Sequence, residues 1–194
     1  MRARHTARAV AGFTLVEILI AVLVLAVGVV GGVSMQLTAL RARHQATLLA
    51  QAGWLAAGMA ERMRANPEQM RLADGANPYL TLDYDALAEP NPPVPAALCH
   101  GGACDGAQLA AFDLYEMKSL MRENLPAGRA VICRDAGVWS GGKLRWACSG
   151  GAGAPLVVKV GWRGKNPDGT ARKDEAGEYV PGVALALAAV AGAP

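Results

Sequence analysis

Three hydrophobic patterns divide the chain. From Phe13 to Val33 there are 21 residues whose only ionisable side chain is Glu17. At about 1.5 Å per residue such a run covers a hydrocarbon core of roughly 30 Å, which predicts a membrane-spanning helix. Beyond it, Leu48, Ala52, Leu55, Met59 and Met63 recur at spacings of four and three, while Gln45, Gln51, Glu61, Arg62 and Arg64 take the other positions. That period predicts a continuing helix with one apolar face laid on a globular body. Asn66-Pro67 is the predicted stop, because the proline ring disfavours helical geometry in Asn66 and cannot donate the next hydrogen bond. The predicted helix therefore runs from Phe13 to Ala65. Gly28, Gly31, Gly32 and Gly53 interrupt it, each weakening a helix in water by roughly 1 kcal/mol relative to Ala. The sequence leaves open whether the Gly28–Gly32 cluster bends, melts or admits a close helix neighbour.

The third pattern is shorter in period. Residues 66–98 hold Pro67, Pro78, Pro90, Pro92, Pro93 and Pro95 among Asn, Asp and Gly, which predicts a loop-rich wrap with no regular element. Asp105 with Gln108 three residues on reads as a capping-box start for a second helix, Gly106 to Asn124, ended by Pro126 and Gly128. Leu109, Phe112, Glu116 and Leu120 fall on one side of it, with Leu114, Met117 and Met121 beside them. Arg129–Arg134, Leu144–Ser149, Pro155–Arg163 and Tyr179–Val190 then predict a small antiparallel sheet, although the Ala/Leu/Val composition of the last suits a helix equally and only its flanking turn favours a strand. In the third of these, Val158, Val160 and Trp162 alternate with Lys159, Gly161 and Arg163, the period of a half-buried strand. The fold class is α+β.

A carboxylate one turn inside a membrane span costs roughly 2.5–3.5 kcal/mol on insertion scales, so Glu17 needs either a partner or a place at the membrane edge. Its neighbours supply the context. Arg8-Ala9-Val10-Ala11-Gly12 followed by Phe13-Thr14-Leu15-Val16-Glu17 resembles the prepilin-peptidase site of type IV pilins and type II secretion pseudopilins. The resemblance implies cleavage on the cytoplasmic side after Gly12, N-methylation of the new terminal Phe13, and a role for Glu17 in assembly. It implies a type IV pilin fold, a long N-terminal helix, transmembrane in its first half, packed on a small antiparallel sheet head. The chain would then comprise a leader over 1–12, a transmembrane or filament-core half-helix over 13–34, an amphipathic half over 35–66 and a periplasmic head over 67–194. Implied partners are the prepilin peptidase, the major and other minor pilins, the inner-membrane assembly platform and the membrane itself. Cleavage would create a positive amine at Phe13, which Glu17 of a neighbouring subunit could neutralise in a dry interior. An ordinary secretory signal is the rival reading, but the apolar run exceeds the usual length and no small-x-small site closes it.

Three downstream segments resemble the minor pilins of the pilus-modification type called PilV. They are Ala60-Glu61-Arg62-Met63-Arg64-Ala65-Asn66-Pro67, Leu125-Pro126-Ala127-Gly128, and Val158-Lys159-Val160-Gly161-Trp162-Arg163. That resemblance implies a low-abundance subunit that primes or caps the pilus near its tip. Before assembly it would sit in the inner membrane with its N-terminus cytoplasmic and head periplasmic, and afterwards in the pilus at the cell surface. A type II secretion pseudopilin shares the N-terminal residues, and a tip-located adhesion or DNA-contacting pilin is the other alternative.

Charge alters this picture in one respect. The formal net charge is +3, but Arg2, Arg4 and Arg8 lie in the leader, which has no Asp or Glu. Removing them from the 19 basic residues leaves 16, equal to the 16 acidic ones. The mature chain is neutral, so no nucleic-acid partner is expected, and the leader's charge suits a cytoplasmic N-terminus.

Cys99, Cys104, Cys133 and Cys148 all follow the span, on the oxidising side, and four cysteines allow three connectivities. If Ser140-Gly141 is a two-residue hairpin turn, Cys133 stands directly opposite Cys148 at a separation that suits a disulfide, leaving Cys99 to pair with Cys104. A zinc site using these cysteines or His100 lacks regular knuckle spacing, and neither metal nor cofactor is expected. No G-x-S-x-G elbow is present and the mature chain has only His44 and His100, so an enzyme is not expected. Asn166-Pro167-Asp168-Gly169-Thr170 resembles a calcium loop, but its glycine has the wrong offset for an EF-hand and a polar turn is expected. Trp54, Trp139, Trp146 and Trp162 are expected in the core or on sheet faces.

Overall fold

The computed structural model describes residues 12–151, 153–166 and 168–187, so leader positions 1–11 lie outside it. The chain divides into two compact units, Met1–Leu40 and Arg41–Pro194, and helix α1, Leu15–Ala65, contributes to both.

In the first unit α1 is long and apolar enough to cross a membrane, and its apolar side chains, from Leu15 to Leu40, are all exposed. It passes through Gly28, Gly31 and Gly32 without a break, and a Cβ at any of the three would meet nothing within 4 Å. The hydroxyls are satisfied inside the helix: Ser34 donates to the Gly31 carbonyl and Thr38 to that of Ser34. Such back-bonding lets polar side chains sit on an otherwise apolar helix.

The second unit is built on the amphipathic face of α1. Leu48, Ala52, Leu55, Ala56, Met59, Ala60 and Met63 are buried, the residues the spacing predicts plus the small ones between them. After Asn66 come α2, Pro67–Met70, a 3-10 turn at Pro78–Thr81, and β1, Asp83–Asp85. Helix α3, Gly106–Asn124, follows, then β2, Arg129–Arg134, the hairpin β3, Trp139–Ser140, with β4, Lys143–Leu144, and finally β5, Leu156–Gly161, and β6, Pro181–Ala186. The main sheet has the order β1-β2-β5-β6 with every pair antiparallel. Ala130, Ile132, Leu156, Val158 and Val160 of that sheet meet α1, Tyr79, Leu82, Tyr84, Met117 and Met121 in one core.

The start of α3 carries both halves of a capping box, Asp105 accepting from the Gln108 N–H and the Gln108 side chain accepting from the Asp105 N–H. Its end is equally local. Ala127 takes a positive φ of 48°, and a Cβ at Gly128 would lie 3.2 Å from both Leu125 Cβ and the Met121 carbonyl.

Four expectations need correction. The 66–98 stretch contains α2, the 3-10 turn and β1. Pro67 and Pro78 stand at the first helical positions, where no N–H is needed, and β1 is an edge strand of three residues whose pairing with β2 its own sequence does not announce. Leu144–Ser149 is not a strand beyond Leu144; residues 145–149 form an irregular strap. The hairpin turns one residue later than expected, on Gly141-Gly142, with φ of 56° and 73° and with Trp139 opposite Leu144. Two consecutive positive φ values are what a type I′ turn requires, and Gly-Gly meets that where Ser-Gly does not. Finally β5 is buried on both faces, since it is a central strand covered by helices on one side and by the strap on the other. Of the last predicted strand, 188–190 lie outside the described residues.

Candidate functional site

The N-terminal residues are positioned by one threonine. Thr14 Oγ1 accepts the N–H of Glu17 at 3.3 Å, and the Thr14 carbonyl accepts those of Glu17 and Ile18. Thr14 is therefore the cap of α1, and Gly12 and Phe13 precede it in non-helical, exposed backbone, with Phe13 79% exposed. The sequence signal was there to be read, because Thr14-x-x-Glu17 has capping-box spacing; only its first half is formed. The Gly12–Phe13 bond thus lies in a conformation and at a place that another protein can reach. Among the described residues nothing lies within 4 Å of a Cβ built at Gly12, so no contact there accounts for glycine. The Glu17 side chain is exposed and has no hydrogen-bond or ion-pair partner among the described residues.

Two polar clusters brace the second unit. At the end of α1, Asn66 Nδ2 donates to the Gly106 carbonyl at 2.7 Å and to Tyr79 Oη at 3.1 Å. Tyr79 Oη donates to Asp113 Oδ2 at 2.8 Å, and Asp113 Oδ1 accepts from Arg62 at 2.9 Å. Arg62 also pairs with Glu116. Burial, opposed by the hydrogen bond from Asn66 and aided by the Asp113 carboxylate, pushes the Tyr79 hydroxyl well above the usual phenol range. Burial works against the Arg62 charge, but Glu116 and Asp113 outweigh it and raise the guanidinium further. Asn66, Arg62 and Asp113 thereby tie α1, the 3-10 turn and α3 into one corner.

The second cluster is the buried pair Lys159 and Asp135 under the strap. Cys148 of the strap is linked to Cys133 of β2, with Cα atoms 6.3 Å apart, and Cys99 is linked to Cys104 at 5.9 Å. The expected pairing is present, but its expected cause is not. Cys133 sits opposite Val157 of β5, not opposite Cys148 in a hairpin; the strap crosses the sheet face and brings Cys148 over it.

The remaining candidates are placed as follows. All four cysteines are in disulfides, and no group of three metal-ligating side chains occurs among the described residues. His100 stands edge-on to Phe112 at 4.7 Å. Asp168 turns its carboxylate to the N–H and hydroxyl of Thr170. Trp162 is in the core, Trp146 donates to the Tyr179 carbonyl across the sheet end, and Trp139 lies on the β3–β4 ladder with 63% of its surface exposed, whereas Trp54 is 67% exposed on α1, against expectation.

A family model described as type IV pilin Tt1218 matches residues 34–115, and one for the prokaryotic N-terminal methylation motif matches residues 7–33. The two adjoin and together span more than half of the chain. No curated protein and no solved structure matches it. A long N-terminal helix with a methylation motif, packed on a small antiparallel sheet, defines the class of pilin-like proteins. The chain belongs to the type IV pilin-like family.

Proposed function

We propose that this chain is a minor pilin of the PilV type, a structural subunit and not an enzyme, that primes type IV pilus assembly or sits at its tip. In this reading the prepilin peptidase cuts between Gly12 and Phe13, and Phe13 is N-methylated. The head faces the periplasm while the helix is anchored in the inner membrane, and the assembly platform then moves the subunit into the pilus beside the major and other minor pilins. The observation that carries the reading is the N-terminus: an exposed Gly12–Phe13 bond, a capped apolar helix, and a Glu17 carboxylate without a partner among the described residues. Its support for the minor class is the resemblance of three segments, Ala60–Pro67, whose Arg62 and Asn66 hold the corner of the head, Leu125–Gly128 and Val158–Arg163.

Glu17→Ala tests it. The substitution removes a costly carboxylate from the membrane, so insertion and cleavage are retained or improved. The Phe13 amine then enters the filament unpaired, and breaking a buried pair costs about 3–5 kcal/mol. Cleaved protein is expected to stay in the membrane fraction, absent from sheared pili, with fewer pili counted. Normal incorporation would remove Glu17 from this role. Loss of secretion with normal pili on deletion would instead favour the pseudopilin reading.

A further inference from the structure

We propose that the cleft between the β3–β4 hairpin and the 170–182 segment binds a short stretch of acidic glycan, sugar rings that carry carboxylates. The cleft holds about 440 Å³ and is lined by Trp139, Lys143, Leu144, Arg172, Lys173 and Pro181, with small and polar residues between them. Three cations face this space and, among the described residues, no carboxylate lines it. Among the described residues none of the three has an ion-pair partner. Of the acids beside it, Asp168 bonds Thr170, Asp174 bonds the Glu178 N–H and Glu178 pairs with Arg129, while Glu175 is exposed and does not line the cleft.

The cations are held in place. Lys143 Nζ donates to the Lys173 carbonyl at 2.8 Å, which joins the hairpin to the opposite wall. The Arg172 guanidinium lies 5.4 Å from the centre of the Trp162 ring, and Lys173 Nζ lies 5.0 Å from that of Tyr179. An aromatic face under each fixes its position while leaving N–H groups for a ligand. Trp139 adds a large exposed ring at the hairpin, and its electron-rich face suits the C–H face of a sugar as well as it suits another ring.

The ligand class follows from what the cleft lacks as much as from what it holds. A nucleic acid is gripped by a track of phosphate contacts, helped by a long-range positive field. Here three cations surround one cleft with an apolar floor of Leu144, Val180 and Pro181, and the chain after Gly12 has equal basic and acidic counts. A short ligand with carboxylates at ring spacing fits that arrangement, Arg172 offering a two-pronged donor and the lysines point charges. The proposal stands on the cleft alone, wherever in a filament the subunit sits.

The test is a titration of the full chain, held in a nonionic detergent, with an oligogalacturonate, a neutral maltooligosaccharide and an oligothymidylate. The oligogalacturonate is expected to bind and the neutral sugar not. Trp139→Ala and Lys173→Gln, which replace exposed side chains, should each weaken it by about tenfold with unchanged thermal unfolding. Absence of oligogalacturonate binding, equal binding of the neutral sugar, tighter binding of the oligothymidylate, or wild-type affinity in both variants would each overturn the proposal.

Discussion

Lys159 Nζ lies 2.6 Å from Asp135 Oδ2, with neither side chain exposed. Lys159 also donates to the carbonyls of Trp146 and Ala147, so all three of its N–H groups are used. Asp135 Oδ1 accepts from the N–H groups of Gly137 and Ser149 and from the Ser149 hydroxyl. A charge on the middle strand of the sheet is thereby tolerated, and the strap over it is pinned by the groups that satisfy it. Asp135→Ala leaves an ammonium buried without a counter-charge and should destabilise the protein by about 3–5 kcal/mol. Lys159→Met should cost less, because Asp135 keeps its other donors and Arg145 at 3.6 Å. Denaturant unfolding of both variants checks the order; the reverse order would contradict it.

The same pair sets an acid limit. Burial opposes the Asp135 charge, but hydrogen bonds from Lys159, Gly137 and Ser149 outweigh it and hold the carboxyl well below the usual range. A depressed folded-state value gives stability that is full above the unfolded value of about 3.9 and is lost as pH falls below it. Wild-type stability should therefore drop steeply below about pH 4, and Asp135→Asn should flatten that part of the profile. Parallel slopes in the two proteins would remove Asp135 as the cause.

Two buried tyrosines should respond oppositely to loss of the hydroxyl. Tyr79 Oη links Asn66 to Asp113, so Tyr79→Phe strands two buried partners at a cost of about 1–3 kcal/mol. Tyr84 Oη has no partner among the described residues, and Tyr84→Phe should be neutral or stabilising. Because burial raises the Tyr79 value, the stability it gives is full below about pH 10 and is lost as pH rises beyond that. Alkaline melts of wild type and Tyr79→Phe should converge.

The two disulfides close loops of different length, with sequence separations of 15 for Cys133–Cys148 and 5 for Cys99–Cys104. On loop entropy the longer contributes about 3 kcal/mol and the shorter about 2 kcal/mol. Replacing Cys133 and Cys148 by Ser should lower the melting temperature more, and also speed amide exchange in 145–149, since the strap loses its tie. Exchange there unchanged from wild type would mean that Lys159 and Asp135 hold the strap unaided.

Processing has its own signature. Because a Cβ at Gly12 meets nothing among the described residues, Gly12→Val should leave folding intact while blocking removal of residues 1–12 by the co-expressed peptidase. Intact mass decides it, and a mature chain beginning within residues 30–45 would indicate an ordinary signal peptide.

Short-range physics alone determined much of this protein. The 3.6-residue period from Leu48 to Met63 marked the buried face of α1, Pro67 ended it, and Asp105 with Gln108 opened α3, because each of these effects acts within one or two turns of chain. The roles of Gly12, Phe13 and Glu17 are implied by the resemblance of the N-terminal stretch and not by local physics, which accounts there only for the Thr14 cap. What needed the tertiary structure were features whose cause lies far along the chain. β1 is a strand because β2 offers an edge to Asp83–Asp85. Lys159 reads as the wet side of an amphipathic strand until the strap, 12 or 13 residues away in sequence, supplies its acceptors. Asp135 and Trp139 likewise took their places, one buried and one bare, from where that strap and its hairpin fold back. Burial and pairing across a sheet are decided by distant partners, and alternation along a single strand carries no record of whether its second face will be covered.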